Sequence, residues 1–278
     1  MRQALALAAK APLPGKAKTR LQSYLSAEDA TQLYRCFLKD TLALIDSVPD
    51  ADAVISYTPE GAEWAFEGIT GSRHRLLPQR GEDFGERLFY ALEDLLREGY
   101  GSVAIMDSDS PTLPASYLQL ALELLRRPGP RTVLGPALDG GYYLIGVNGS
   151  QPRLFQDITW STSSVLEQTI ERARESGLEV DLLPEWYDVD DRESFEWLLC
   201  EMGLEASPTF PFDRLRSAAD DGRAEAASGL AGTLSLQPES QSVDAAGQKK
   251  APHTKEFLRT LWREGRGKRS EERWGSNL

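Results

Sequence analysis

The sequence predicts an α/β domain over residues 1–203, built on a mostly parallel sheet with helices on both faces. Three observations carry that prediction. Short apolar runs alternate with segments of helical period. The loops richest in Lys, Gly, Asp and Ser directly follow apolar runs, and in such sheets ligand loops gather at the carboxyl ends of strands. The composition is ordinary for a globular chain up to residue 203 and changes beyond it.

The elements follow in order. Residues 3–9 read as a buried strand. A helix is expected near 27–48, capped by Ser26, with Leu33, Phe37, Leu38, Leu42 and Ile45 on one stripe. Residues 53–57 read as a strand, 61–68 as a short helix, and Leu76-Leu77 as a weak strand signal. A helix at 84–98 carries Leu88, Ala91, Leu92, Leu95 and Leu96 at helical spacing. Residues 103–106 form a short strand, and 114–127 a helix. Two strands, 132–135 and 142–147, flank Asp139-Gly140-Gly141. A helix at 163–176, a strand at 179–183 and a helix at 192–203 close the domain. Residues 204–252 are rich in Ala, Ser, Gly, Pro, Asp and Gln and read as a flexible linker. Residues 253–278 form a basic tail with Lys255, Arg259, Arg263, Arg266, Lys268, Arg269 and Arg273. Phe257, Leu258, Leu261 and Trp262 there give the pattern of a short helix, either docked or solvated.

The totals exclude several classes. Net charge is −12 over 278 residues, so a nucleic-acid polymer is not the expected partner; that needs clustered cations. Cys36 and Cys200 stand alone within helical patterns and read as reduced thiols. His74 and His253 have no partner pattern. The start of the chain lacks the apolar length and cleavage site of a signal peptide. No run reaches membrane-span length, so a cytoplasmic location is expected. The oligomeric state is not legible.

The first unusual loop, residues 9–21, holds Lys10, Lys16, Lys18 and Arg20 within eleven residues of an acidic chain. Gly15 permits a tight turn, and Pro12 and Pro14 stiffen the loop. Cations with exposed amides suit a diphosphate or triphosphate. The loop is neither GxxxxGK[ST] nor GxGxxG, and a solvated basic turn is the alternative reading.

Two acidic turns follow strands. Asp107-Ser108-Asp109-Ser110-Pro111 puts two carboxylates two residues apart, on one side of an extended segment. They could share a hard cation such as Mg²⁺ or Mn²⁺, or form an ordinary turn. Asp188 and Asp190 repeat that spacing, while Asp190-Asp191-Arg192-Glu193 also fits a capping box. Asp139-Gly140-Gly141 reads as a hairpin turn or as a close backbone approach to a ligand. Ser161-Thr162-Ser163 reads as an N-cap or an anion site. In Gln79–Arg87, Gln79 could read a base edge, and Arg80 or Arg87 could meet phosphate.

Taken together, AKAPLPGKAKTRL, QRGEDFGERL, DSDSPTLP, LGPALDGGYYLIG, ITWSTSSV and WYDVDD resemble a bacterial family of glycosyltransferase-like proteins. Arsenosugar-pathway glycosyltransferases are among its members. It is related to 2-phospholactate guanylyltransferase and the molybdenum-cofactor guanylyltransferases. The resemblance covers residues 1 to about 203. It implies a type A glycosyltransferase fold: a Rossmann-like, mostly parallel mixed sheet binding a nucleotide with Mg²⁺ or Mn²⁺. On that resemblance Lys10, Gly15, Lys16, Lys18, Arg20 and Gln79 surround the nucleotide. Asp109 and Asp190 bind the metal. Lys18, Arg20 and Asp109 serve catalysis, and Asp139, Gly140, Gly141, Ser161 and Thr162 line the acceptor side. Gly usually stands in that family at the position of Asp107, which makes Asp107 an outer-sphere candidate. The expected activity is transfer from a nucleotide-sugar donor to a small-molecule acceptor. Nucleotidyl transfer releasing pyrophosphate and a non-catalytic nucleotide-binding module are the alternatives.

Overall fold

The computed structural model describes residues 1–205 and 250–266. Seven strands form one sheet: β1 Gln3–Lys10, β2 Ala51–Thr58, β3 Arg75–Pro78, β4 Ser102–Met106, β5 Arg131–Pro136, β6 Tyr142–Val147 and β7 Glu179–Leu182. Their order across the sheet is β3-β2-β1-β4-β6-β5-β7. All neighbouring pairs are parallel except those made by β6, which runs antiparallel between β4 and β5. The fold is the Rossmann-like mixed sheet expected, and the antiparallel strand follows from the short 137–141 hairpin connection.

Helices cover both faces. On one, α1 (Ala27–Asp46) and α3 (Ala115–Leu125) pack Leu33, Phe37, Leu38, Leu118 and Leu122 against Leu5, Leu7 and Met106. On the other, α2 (Phe84–Arg97) and α4 (Val165–Glu175) pack Leu88, Leu92, Leu95 and Ala173 against Ala4, Ala6, Val103 and Ile145. Alternate residues of β1 thus feed opposite cores, as the pleat requires, and burial on both faces explains why β1 and β4 read as continuous apolar runs. Helix α5 (Arg192–Glu201) closes the first core with Phe195, Leu198 and Leu199.

Local chemistry sets the helix starts. Ser26 accepts from the Asp29 amide at 2.9 Å, and Asp83 from the Glu86 amide at 2.8 Å. The helix expected at 61–68 is a single 3₁₀ turn, Glu63–Phe66. Helix α4 begins only at Val165, after Ser164, which makes no side-chain cap. A sixth helix, α6 (Pro252–Arg263), forms in the basic segment and packs on α1, with Leu258 and Leu261 fully buried. Residues 206–249, most of the expected linker, lie outside the described residues, as do Lys268, Arg269 and Arg273 of the tail. Among the described residues no helix is long and apolar enough to cross a membrane.

Candidate functional site

Strands β1, β2, β3, β4 and β5 end along one edge of the sheet, and so does the start of antiparallel β6. The loops singled out by sequence therefore share that edge. The two acidic turns are tied together: the Val189 amide donates to Asp109 O at 2.9 Å. The 137–141 loop joins them through a parallel bridge between Ala137 and Trp186.

Lys18 is the centre of the arrangement. Its Nζ lies 2.7 Å from Oδ1 of both Asp109 and Asp190 and donates to Val189 O at 2.7 Å. The side chain is only 3% exposed, and its Nζ lies 5.6 Å from the Phe37 ring centroid. Burial opposes the ammonium charge, but the two carboxylates outweigh it and hold Lys18 above its ordinary pKa. Lys18 also adopts the left-handed conformation, φ 50°, uncommon for a residue with a Cβ. This backbone turn directs the loop from β1 back over the acidic turns. The sequence reading places Lys18 among the phosphate ligands; in the structure its ammonium lies against the two carboxylates. Lys10, Lys16 and Arg20 are exposed, and none makes an ion pair among the described residues.

The aspartates divide by role. Asp107 Oδ1 accepts the amides of Asp109 (3.0 Å) and Ser110 (3.1 Å), and its Oδ2 accepts from Ser110 Oγ at 3.1 Å. It therefore braces the turn. Burial, then Asp109 and Asp188, pushes its carboxyl well up. Asp109 is the deeper of the Lys18 pair, 26% exposed against 44% for Asp190. Burial raises Asp109, and Lys18 offsets that only in part. For Asp190, burial is outweighed by Lys18 and Arg20, and the carboxyl lies below its ordinary value. Asp191, not Asp190, caps α5, in a capping box with Ser194 one residue later than the sequence pattern suggested. That shift leaves the Asp190 side chain available to the site.

Asp188 was passed over in favour of Asp190. It is half-buried, and burial, then Asp190, Asp139 and Asp109, pushes its pKa up to about 7. Its two-residue spacing from Asp190 was the available signal; the proximity of Asp139, 49 positions earlier, was not. Tyr34 was also missed. Its hydroxyl accepts the Lys10 amide at 3.1 Å and meets Ser108 Oγ at 2.9 Å, joining the phosphate loop to the acidic turn.

Gln79 sits less freely than expected. Its Nε2 donates to Ser56 O at 2.8 Å, and its amide to Tyr57 O at 2.7 Å. Arg80 pairs with Asp94 at 2.7 Å and stacks 3.8 Å from the Tyr90 ring, so its guanidinium is engaged on α2. Asp139-Gly140-Gly141 is the β5–β6 hairpin turn, with the Gly141 amide on Asp139 Oδ1 at 2.8 Å. Gly140 has φ +87°, and a Cβ there would lie 2.2 Å from Ser163 O. That close packing seats the 159–164 turn, where Ser161 is left-handed and Thr162 Oγ1 donates to Thr159 O at 2.7 Å.

The donor set fits a hard divalent cation in one specific sense. Among the described residues no three His, Cys, Asp or Glu side chains converge as a ready-made cage. Mg²⁺ commonly uses only one or two carboxylates, with substrate phosphates and water completing the shell. Asp109 and Asp190, with Asp188 beside them, meet that requirement.

The fold is that of an α/β domain of the nucleotide-diphospho-sugar transferase type. A crystal structure from Desulfovibrio desulfuricans G20, provisionally assigned as a nucleotide-diphospho-sugar transferase, is 33% identical over 80% of this chain and 96% of that chain, with TM-score 0.67. Residues 41–162 match the family model described as "Uncharacterized protein conserved in bacteria (DUF2064)", and the chain belongs to this family. More distant likenesses include a CMP:2-keto-3-deoxy-manno-octonic acid synthetase complexed with CTP. It is 12% identical over 74% of this chain and 100% of that chain, TM-score 0.47. Another is a cytidylyltransferase from Leptospira borgpetersenii, 12% identical over 85% and 100%, TM-score 0.46. No curated protein matches the chain.

Proposed function

We propose that the protein is a metal-dependent transferase using a nucleotide donor, with a nucleotide-sugar as the favoured donor and a small molecule as acceptor. One observation carries the reading: Lys18 holds Asp109 and Asp190 together at the strand-end edge, where Lys10, Lys16 and Arg20 are exposed and make no ion pair among the described residues. The relative from Desulfovibrio desulfuricans supports the nucleotide-sugar choice.

On this reading Lys10, Lys16 and Arg20 bind the donor phosphates, and Gly15 gives the loop its turn, φ +72°. Lys18 orients the two carboxylates. Asp109 and Asp190 would hold Mg²⁺ or Mn²⁺, which would supply charge neutralisation for the departing phosphate. Arg20 adds to it from the protein side. Asp139, Gly140, Gly141, Ser161 and Thr162 border the acceptor side, opposite the β1 loop across the acidic turns. An acceptor hydroxyl attacking an anomeric carbon needs a base, and Asp188, with its pKa near 7, has the proton affinity for that work.

The test is product identification with Mg²⁺ or Mn²⁺, a panel of nucleotide-sugars and nucleoside triphosphates, and a cell extract as acceptor. Nucleoside diphosphate release from a nucleotide-sugar supports glycosyl transfer. Pyrophosphate release from a triphosphate replaces it with nucleotidyl transfer. Metal-dependent nucleotide binding that is lost in Asp109→Ala, without turnover of any donor, leaves a binding module. Absence of nucleotide binding overturns the reading.

A further inference from the structure

The C-terminal helix is joined to the acidic site by an unbroken line of contacts. Asp40, buried within α1, accepts the amides of His253 (3.0 Å) and Thr254 (2.8 Å) at the start of α6. The local cap residue, Ala251, offers no side-chain acceptor. Asp40 therefore satisfies amides that every helix start leaves open, and places a carboxylate at the positive end of the dipole. Arg266 pairs with Asp29 at the other end of the segment. Between these anchors, Leu258 and Leu261 are fully buried in the core that also holds Trp186 and Tyr187.

Lys250, just before α6, reaches Glu201 Oε1 at 3.2 Å. Glu201 Oε2 accepts the Tyr187 hydroxyl at 2.6 Å, and that hydroxyl accepts from Thr112 Oγ1 at 3.3 Å. The Tyr187 carbonyl lies 3.1 Å from Ser110 Oγ, which also lies 3.1 Å from Asp107 Oδ2. Asp107 in turn holds the amides of Asp109 and Ser110. Tyr187 is also the residue before Asp188. Tyr187 thus meets the C-terminal segment through its hydroxyl and Glu201, and the Asp107–Ser110 turn through its carbonyl on Ser110 Oγ.

We propose that residues 250–266 are a positioning element of the acidic site, with Lys250 as the positioning residue acting through Glu201 and Tyr187 on the Asp107–Ser110 turn. The functional meaning rests on the nucleotide–metal reading of that turn; the mechanical coupling does not. Lys250 neutralises Glu201, whose side chain is only 6% exposed, and so keeps that carboxylate directed at Tyr187.

Hydrogen exchange on the full chain tests the coupling without any ligand. In Lys250→Met, α6 keeps its Asp40 cap and its exchange protection. Peptides spanning 107–113 and 186–191 exchange about two- to fivefold faster. Lys250→Arg restores them, and peptides of β1 and β2 are unchanged. A second variant, Asp40→Ala, frees α6 and accelerates the same two peptides. The inference is overturned if 107–113 exchanges at the wild-type rate in both variants. It is equally overturned if acceleration is uniform over the whole chain, which signals general loss of stability. Mn²⁺ titration followed by electron paramagnetic resonance gives the second readout: Lys250→Met weakens Mn²⁺ binding by a similar factor and Lys250→Arg restores it. A wild-type chain that binds no Mn²⁺ refutes the proposed metal site, while the exchange result still decides the coupling.

Discussion

Replacing Lys18 by Met removes one cation from between two carboxylates while keeping much of the side-chain volume. The wild-type ammonium is 3% exposed and lies 2.7 Å from Asp109, Asp190 and Val189 O. Breaking a buried ion pair on one side costs about 3–5 kcal/mol, because the remaining charge is left uncompensated. The pH dependence identifies the cause. The raised Lys18 pKa keeps its own contribution constant below the ordinary lysine range, so the window belongs to the aspartates. Without Lys18 the folded pKa of Asp190 rises above its unfolded value and that of Asp109, already raised, rises further, and stability then falls as pH rises through the acid range toward neutrality. The loss is therefore about 3–5 kcal/mol at pH 8 and shrinks at pH 5 to about 1–2 kcal/mol, the cost of missing hydrogen bonds. Urea unfolding followed by tryptophan fluorescence in the presence of a chelator measures both. Mg²⁺ at a hundredfold excess over the variant's dissociation constant then stabilises Lys18→Met by about 2.7 kcal/mol relative to the same variant in chelator. Equal loss at both pH values, or no loss at pH 8, refutes the assignment of Lys18 as the counter-ion of this pair.

Three further outcomes follow from the same geometry. Asp188→Asn stabilises the metal-free protein at pH 8 by about 1–3 kcal/mol, allowing for solvent screening of a half-buried group; since the folded carboxyl stays protonated up to about 7 while the unfolded one ionises near 4, the gain fades as pH falls through that interval, and urea melts across it check the trend. Gly140→Ala, forced into φ +87° and toward Ser163 O, lowers the unfolding midpoint by the equivalent of about 1–3 kcal/mol, with the largest rise in hydrogen exchange over residues 159–166. Asp40→Ala leaves two helix-start amides unsatisfied and costs about 1–2 kcal/mol, seen as a lowered thermal midpoint; in a chain truncated after residue 205 the same substitution has a much smaller effect.

Much of the architecture was legible because burial on both faces writes itself into composition. Strands β1, β4 and β6 are short apolar runs, and Leu33, Phe37 and Leu38 mark the face of α1. The edge that carries the loops was also legible, since it follows from chain order in parallel sheets. What spacing could not supply was which partner each charge finds. Lys16, Lys18 and Arg20 look alike in sequence, yet a left-handed φ at Lys18 sends only its side chain inward. Asp107 and Asp109 also look alike, and one of them spends its oxygens on turn amides. The α5 cap lies one residue beyond the pattern because Ser194, rather than Glu193, answers Asp191. Asp40 gave no signal at all: a carboxylate in the middle of an amphipathic helix reads as solvated until a second helix start, 213 positions away, is placed above it.

The reversed direction of β6 has a consequence for how such a protein can change. Because β6 enters the sheet from the site edge, the β5–β6 connection is a short turn at that edge, and the 159–164 turn is seated on it through Gly140. The chain that would meet the donor's phosphates comes from β1, while the chain on the other side is carried by this hairpin and its neighbour. Inheritance can therefore lengthen or rewrite one surface while leaving the other intact. A lineage could keep one source of activated groups and exchange their destination, with the central strands undisturbed.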